Sequence, residues 1–336
     1  MRLRRFTWFQ KRAVRLQDEC QVRSKGIGSG DRRIGLLAGW GRYPIVVAQH
    51  LRAQGYRTYC LGLWDHADPC LQQLCDGFRW VGLGRLGAAI RFFKRNAVCD
   101  ATMAGKFHKM QLFQPWAWIR HLPDMKTIRA FIPHFLTRQK DCKDDSLLGT
   151  LVNTFAADGI RFAPATDYAP GLLVGHGQLT RQAPSAWLWK DIAFGWQLAK
   201  EMGRLDIGQS VAVKDQAVLA VEAVEGTDQC IRRAGSLCRA GGFTVVKVAK
   251  PQQDMRFDVP TIGLGTLQTM VESGARALAI EAGRTILLDQ AEVLAYANQH
   301  KLTLVALQDG EVLSGAPSSG LSASVRVSSP THSQRS

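Results

Sequence analysis

The chain has 336 residues, 46% of them hydrophobic, and 43 Lys and Arg against 28 Asp and Glu give a net charge of +15. That length suits two ordinary domains, the apolar content is that of a globular protein, and the lack of an apolar run of about 20 residues excludes a membrane-spanning helix. The positive balance fits nucleic acid, an anionic membrane surface or a phosphorylated substrate, and does not choose among them.

Residues 1–25 carry eight Arg and Lys against Asp18 and Glu19. Residues 1–30 read as a disordered basic leader; an alternative is an amphipathic helix over 1–16, with Leu3, Phe6, Trp8 and Phe9 toward an anionic bilayer. No continuous apolar segment follows the first charges, so a secretory signal is not expected. Folding is expected from about Arg33, and the first domain is placed at 31–165. Residues 34–39, IGLLAG, read as a buried strand, 45–55 as a helix ending at Gly55, and 56–63 as the next strand. This is a β-α-β unit of a parallel sheet. Residues 78–98 read as strand, Gly-rich turn and helix, and 100–107 as a further strand. Residues 111–124 are aromatic and broken by Pro, and 143–160 read as a helix.

Residues 166–185, rich in Pro and Gly, read as a linker, and a second domain is expected over 186–310. It opens with a helix at 186–202, followed by strands at 210–215 and 217–224 that pair as a hairpin. A strand at 243–250, a helix at 264–275, a strand at 277–283, a strand then a helix over 285–301, and a strand at 302–307 complete it. The Ser-rich end, 311–336, reads as disordered. The eight cysteines include no CxxC pair, so neither a zinc framework nor a disulfide scaffold is implied, and reduced thiols are expected. The histidines show no ligand spacing.

Two regions hold candidate functional residues. In the first domain, Gly39-Trp40-Gly41 follows a strand and precedes a helix, but the third glycine of a dinucleotide fingerprint is missing. What remains is a helix N-terminus at the carboxyl end of a strand, which offers N–H groups to an anion. Gly39 and Gly41 permit close approach of a ligand to the backbone, and Lys106 offers a cation to a phosphate. In the second domain, residues 203–258 interleave Asp206, Glu222, Glu225, Asp228, Asp254 and Asp258 with Lys247, Lys250, Arg232, Arg233 and Arg256. Carboxylates on turns among cations suit a divalent metal held against a phosphate. They also suit a salt-bridged surface with ordinary turn residues. On the first reading Asp228, Glu225 and Glu222 hold the metal, and Asp206 and Asp254 complete its shell or orient water. Thr227 and Gln209 then contact substrate, and Lys247, Lys250 and Arg256 bind phosphate oxygens.

The succession LAGWGRYP, LDIGQ, VEAVEGTDQ, KPQQDMRFDVPTIG and AIEAGRTILLD, from about Ile34 to Leu307, resembles the LpxI-type UDP-2,3-diacylglucosamine hydrolases. The resemblance implies two α/β domains: an N-terminal Rossmann-like parallel sheet and a C-terminal mixed-sheet catalytic domain, often in a homodimer. It implies hydrolysis of the pyrophosphate of UDP-2,3-diacylglucosamine to UMP and 2,3-diacylglucosamine 1-phosphate (lipid X) in lipid A synthesis. The resemblance further implies attack of water on the α-phosphorus with a divalent metal, typically Mg2+, and an essential acid in the Asp of EGTD, which maps onto Asp228. The protein would be cytoplasmic and peripheral on the inner membrane. Trp40 departs from the family, which usually has a small residue there, as do the aromatic, basic segment 111–121 and both ends of the chain. A competing expectation is a non-catalytic nucleotide-sugar or lipid-binding protein on the same fold. Nucleic acid is not an expected partner, because no recognised binding module is present.

Overall fold

The computed structural model describes residues 32–106, 121–136, 144–256 and 258–313. The leader, most of the aromatic segment 111–121 and residues 314–336 lie outside the described residues. The chain divides into two compact units, Met1–Pro170 with Asp254–Asp258, and Gly171–Gln253 with Val259–Ser336.

The first unit runs β1 (Arg32–Ala38), α1 (Tyr43–Ala53), β2 (Tyr56–Leu63), α2 (Leu71–Leu74), β3 (Gly77–Val81), α3 (Leu86–Arg95) and β4 (Asp100–Ala104). It continues with α4 (Met125–Leu136), α5 (Asp144–Ala156), β5 (Arg161–Phe162) and α6 (Ala165–Tyr168). The strands form one sheet in the order β3-β2-β1-β4-β5, and every pair is parallel. β1 is buried along its last five residues, as a strand covered on both faces must be. One face packs Leu37, Leu61, Leu63, Ala101 and Met103 with Phe93 of α3 and Phe155 of α5. Alternate strand residues such as Leu36 and Cys60 face the other way and are also fully buried, together with Val47 and Leu51 of α1. This is a doubly wound Rossmann-like layer. Its strand order reverses between β1 and β4, where such sheets open a crevice beyond the strands' carboxyl ends.

In the second unit, β6 (Gly177–Gln178) and α7 (Ala186–Arg204) precede β7 (Ser210–Lys214), β8 (Ala217–Val221), α8 (Thr227–Leu237) and β9 (Phe243–Lys247). Then come β10 (Thr261–Ile262), α9 (Leu264–Glu272), β11 (Ala275–Glu281), β12 (Ile286–Leu287), α10 (Gln290–Gln299), β13 (Thr303–Leu307) and α11 (Asp309–Leu313). The main sheet has the order β6-β13-β11-β9-β7-β8, and β10 pairs with β12 apart from it. It is a mixed sheet: β9, β11 and β13 are parallel, while β6, β7 and β8 join antiparallel. One face buries Ala212, Ala220, Val245, Leu278 and Leu304 with Ile231 of α8 and Met270 of α9. The other buries Val211, Val246, Ala279 and Val305 beneath Ile192, Trp196 and Ala199 of α7. The segment read as a linker carries α6 and β6, and α11 covers the start of the segment read as a tail. Cys60, Cys70, Cys75, Cys230 and Cys238 are free thiols, whereas Cys99 is disulfide-bonded, against the expectation of reduced cysteines throughout.

β7 and β8 form the expected hairpin around a two-residue turn in which Asp215 and Gln216 have φ of 51° and 60°. Two positive φ values match the right-handed twist of a hairpin, but they strain side-chain-bearing residues. Asp191 of α7 holds the turn: its carboxylate accepts the Asp215 N–H at 3.2 Å and the Gln216 N–H at 2.7 Å. Asp191 is itself buried, so Asp191→Ala leaves two donors without their partner. It should lower unfolding free energy by about 1–3 kcal/mol per unsatisfied group, as measured by urea denaturation, with Asp191→Asn losing less.

Candidate functional site

Strand register assembles the core of the second unit's candidate site. Ser210 pairs with Lys247 across β7 and β9, and the Glu222 N–H donates to the Ser210 carbonyl at 2.8 Å, one residue past β8. Residues opposite one another project to the same face. Glu222, Ser210 and Lys247 therefore form a row on the face covered by α8 and α9. All three are buried. Thr227, the first residue of α8, closes the row from above. Its hydroxyl donates to Glu222 Oε1 at 3.0 Å and accepts from Lys247 Nζ at 3.0 Å. Ser210 Oγ lies 3.3 Å from the same hydroxyl, and Lys247 also donates to the Thr261 carbonyl at 3.2 Å. Among the described residues, Glu222 Oε2 is buried with no hydrogen-bond partner.

Two glycines make this geometry accessible. Gly226 precedes α8 with φ of 82°, a conformation glycine adopts without strain. At Gly208 of LDIGQ, a Cβ would come within 2.0 Å of the Glu222 carbonyl, so only glycine lets that turn pass so close to Glu222.

Asp228 lies in the first turn of α8, where a carboxylate is favoured by the helix dipole. It does not cap its own helix. Thr266, in the first turn of α9, donates to Asp228 Oδ1 at 3.0 Å, which orients the carboxylate across two helix N-termini. Glu225 is set apart from both. It is exposed, pairs with Arg233 at 2.6 Å and accepts the Ala223 N–H at 3.1 Å. Backbone hydrogen bonds from its own amide and from Ala223, with Arg233 alongside, hold its carboxyl below the usual range. Among the described residues, no three His, Cys, Asp or Glu side chains gather as metal ligands do. Glu222, Glu225 and Asp228 are thus near in sequence and differently engaged.

LDIGQ forms the end of α7. The Asp206 N–H donates to the Gly203 carbonyl and the Ile207 N–H to the Met202 carbonyl, the paired bonds of a Schellman motif. Asp206 takes the left-handed position with φ of 59°, and its carboxylate receives Lys250 Nζ at 2.8 Å. Gln209 meets Gln253 at 3.5 Å through their side-chain amides. Asp254 and Arg256 form a forked ion pair with contacts of 2.9, 3.1 and 2.5 Å. The Arg256 hydrogen bonds are the main cause that lowers the Asp254 pKa. Cys230 is buried, and burial pushes its thiol up to about 12, which makes it a packing residue rather than a nucleophile.

In the first unit, Gly39, Gly41 and Lys106 lie at the strand-order reversal, on the carboxyl ends of β1 and β4. Trp40 and Lys106 exchange backbone hydrogen bonds of 2.9 Å each. A Cβ at Gly39 would come within 2.7 Å of the Lys106 carbonyl, so this glycine serves the approach of the two loops to each other. Gly41 has φ of 104° with open space around it.

Several residues of the second unit's site were not singled out from sequence. Ser210 and Thr261 contact the buried row, and Thr266 holds Asp228. Glu281, inside AIEAGRT, is buried on the opposite face of the sheet. It accepts Lys200 Nζ at 2.9 Å and the Ala249 N–H at 2.8 Å. The recurrence of that motif was the one available signal for Glu281. The others depend on long-range pairing.

The family model for the LpxI N-terminal domain matches residues 33–172, and that for the LpxI C-terminal domain matches 175–305. The chain belongs to the LpxI family. A Caulobacter vibrioides relative, named UDP-2,3-diacylglucosamine pyrophosphatase LpxI, is 29% identical over 287 residues, which cover 83% of this chain and 99% of the relative. The region matched by the C-terminal model contains the buried row and Asp228, and that matched by the N-terminal model contains the strand-order reversal between β1 and β4.

Thr227→Val should leave the buried Glu222 and Lys247 without their shared hydroxyl and cost at least about 1–3 kcal/mol in chemical unfolding; Thr227→Ser should recover most of it. Arg256→Gln should let the Asp254 carboxyl titrate at higher pH, read by carboxyl NMR. The sign follows from the depressed folded pKa: the pair stabilises above the unfolded carboxyl pKa and is lost as pH falls through the folded one. An unchanged titration would remove Arg256 as the cause.

Proposed function

We propose that this LpxI-family chain hydrolyses the pyrophosphate bond of UDP-2,3-diacylglucosamine, releasing UMP and 2,3-diacylglucosamine 1-phosphate in lipid A synthesis. The observation that carries the reading is Asp228 of EGTD. It is half-buried in the first turn of α8 and aimed by Thr266, within a domain that matches the LpxI C-terminal model. A relative covered almost end to end bears the name of this activity.

A pyrophosphate diester repels a nucleophile until its charge is neutralised. Asp228 would position the attacking water, and the Thr266 hydroxyl fixes the direction in which its carboxylate points. Lys250 offers a cation to phosphate oxygens by exchanging its Asp206 partner. Lys247 and Glu222 hold Thr227 at the start of α8.

The donor set suits a magnesium ion, which takes oxygen ligands, retains several waters and needs only one or two protein carboxylates. Asp228, whose Oδ1 accepts from Thr266, and Glu222, whose Oε2 has no hydrogen-bond partner among the described residues, would hold it; Glu225 is committed to Arg233. When bound, the ion supplies charge neutralisation to the pyrophosphate. No described helix is long and apolar enough to cross a membrane, yet two acyl chains hold the substrate in a bilayer. A cytoplasmic, peripheral association with the inner membrane follows from the substrate.

The test is UMP release from UDP-2,3-diacylglucosamine with magnesium and with EDTA. Asp228→Asn should lose on the order of 10²–10⁴-fold in kcat while remaining folded, and EDTA should abolish turnover by the wild type. A folded, metal-loaded wild type that releases no UMP removes the proposal. In H2(18)O, attack at the α-phosphorus puts the label in UMP; label in the sugar 1-phosphate places attack at the β-phosphorus.

A further inference from the structure

We propose that Trp40 is the platform on which the first unit stacks a nucleotide base. An indole is a large apolar surface that proteins usually bury, yet Trp40 is 50% exposed. Its backbone is held on both sides. The Trp40 N–H donates to the Lys106 carbonyl and the Lys106 N–H to the Trp40 carbonyl, each at 2.9 Å. The preceding Gly39 N–H donates to the Ala104 carbonyl at 2.8 Å. Beneath the pair lies Gly105 with φ of +97°, where a Cβ would fall 2.8 Å from the Gly39 carbonyl carbon and 2.9 Å from the Trp40 oxygen. The loop is therefore pinned by backbone and glycine packing.

Its place in the sheet decides the occupant. In the order β3-β2-β1-β4-β5 the reversal lies between β1 and β4, and doubly wound sheets bind ligands beyond the strand ends at that point. Trp40 follows β1 and Lys106 follows β4, so a half-exposed indole and an exposed lysine are paired at the strand-order reversal. A planar base attached to a phosphate uses both. Stacking accepts any base, so Trp40 supplies affinity for a base and leaves the choice among bases to other groups.

The inference deepens the hydrolase reading and rests on it in one respect: UMP is part of the proposed substrate and is the probe. UMP and base-free ribose 5-phosphate are titrated calorimetrically into the full chain as wild type, Trp40→Ala and Trp40→Phe, with circular dichroism confirming the fold. Trp40→Ala should weaken UMP by about tenfold or more, the scale of one base–aromatic stack. Ribose 5-phosphate should be unchanged, and Trp40→Phe should stay within about threefold of wild type. Three results overturn the proposal: UMP affinity independent of Trp40, equal loss of both ligands, or no UMP binding by the wild type. Loss of binding to anionic phospholipid vesicles in Trp40→Ala, with UMP unaffected, overturns it in favour of a lipid contact. The two readings separate cleanly. Trp40-dependent UMP binding without hydrolysis keeps the platform and removes the hydrolase; hydrolysis with Trp40-independent UMP binding does the reverse.

Discussion

The second unit depends on the lateral register of β8, β7 and β9. Only the pairing of Ser210 with Lys247, and of Glu222 with Ser210, brings a carboxylate, a hydroxyl and an ammonium into one buried row. A slip of one residue in any of these strands would turn its member of the row to the face covered by α7. The row is tolerable because its charges are opposite and Thr227 joins them, donating to one and accepting from the other. A buried ion left without its partner is among the most destabilising changes a protein can suffer. The start of α8 is thereby fixed to the sheet, and Asp228, one residue later, inherits its position.

That dependence separates what could be read from the sequence from what could not. β2 occupies 56–63 as expected, because its apolar run is bounded by Gly55 and Trp64 and flanked by a helix of the right period. The parallel and mixed sheets follow from the same alternation of apolar strands and helices. No helix is expected over 227–237 from the sequence. Glu225-Gly226-Thr227-Asp228 has turn composition, and the buried face of the helix is only Cys230, Ile231 and Ala234. The cost of that misreading fell on the acids. A tight turn would aim Glu225 and Asp228 at one ion, whereas a helix beginning between them sends Glu225 to Arg233 and Asp228 to Thr266. Thr266, Ser210 and Thr261 were invisible for a further reason: an isolated hydroxyl has no sequence signature until long-range pairing gives it a neighbour.

The end of β9 shows how two networks share a single strand. Successive residues project to opposite faces, so Lys247 joins Thr227 on one side while Glu281 works on the other. There Glu281 accepts the Ala249 N–H and the Lys200 ammonium, pinning the chain just beyond the strand. Three residues after Lys247, Lys250 pairs with Asp206, an acid half in solvent. The two lysines therefore differ in kind. Lys247 is buried and its loss would strand Glu222, while the Lys250 pair is exposed enough to be worth little to stability. That low worth is what would let Lys250 exchange its partner for a phosphate, as the proposed function asks of it.

Asp228 is the acid whose placement stability alone explains least. A helix is stabilised by a side chain that bonds its own first-turn amides, yet α8 starts at a glycine with no side-chain cap. Asp228 instead accepts a hydroxyl from a neighbouring helix, which orders the carboxylate without satisfying an α8 amide. Thr266 restricts its direction. A charged carboxylate held in one orientation and only half-buried loses side-chain entropy and gains little packing. The proposed hydrolysis would supply what the stability argument lacks: a reacting water needs an anionic oxygen in a fixed place before it arrives.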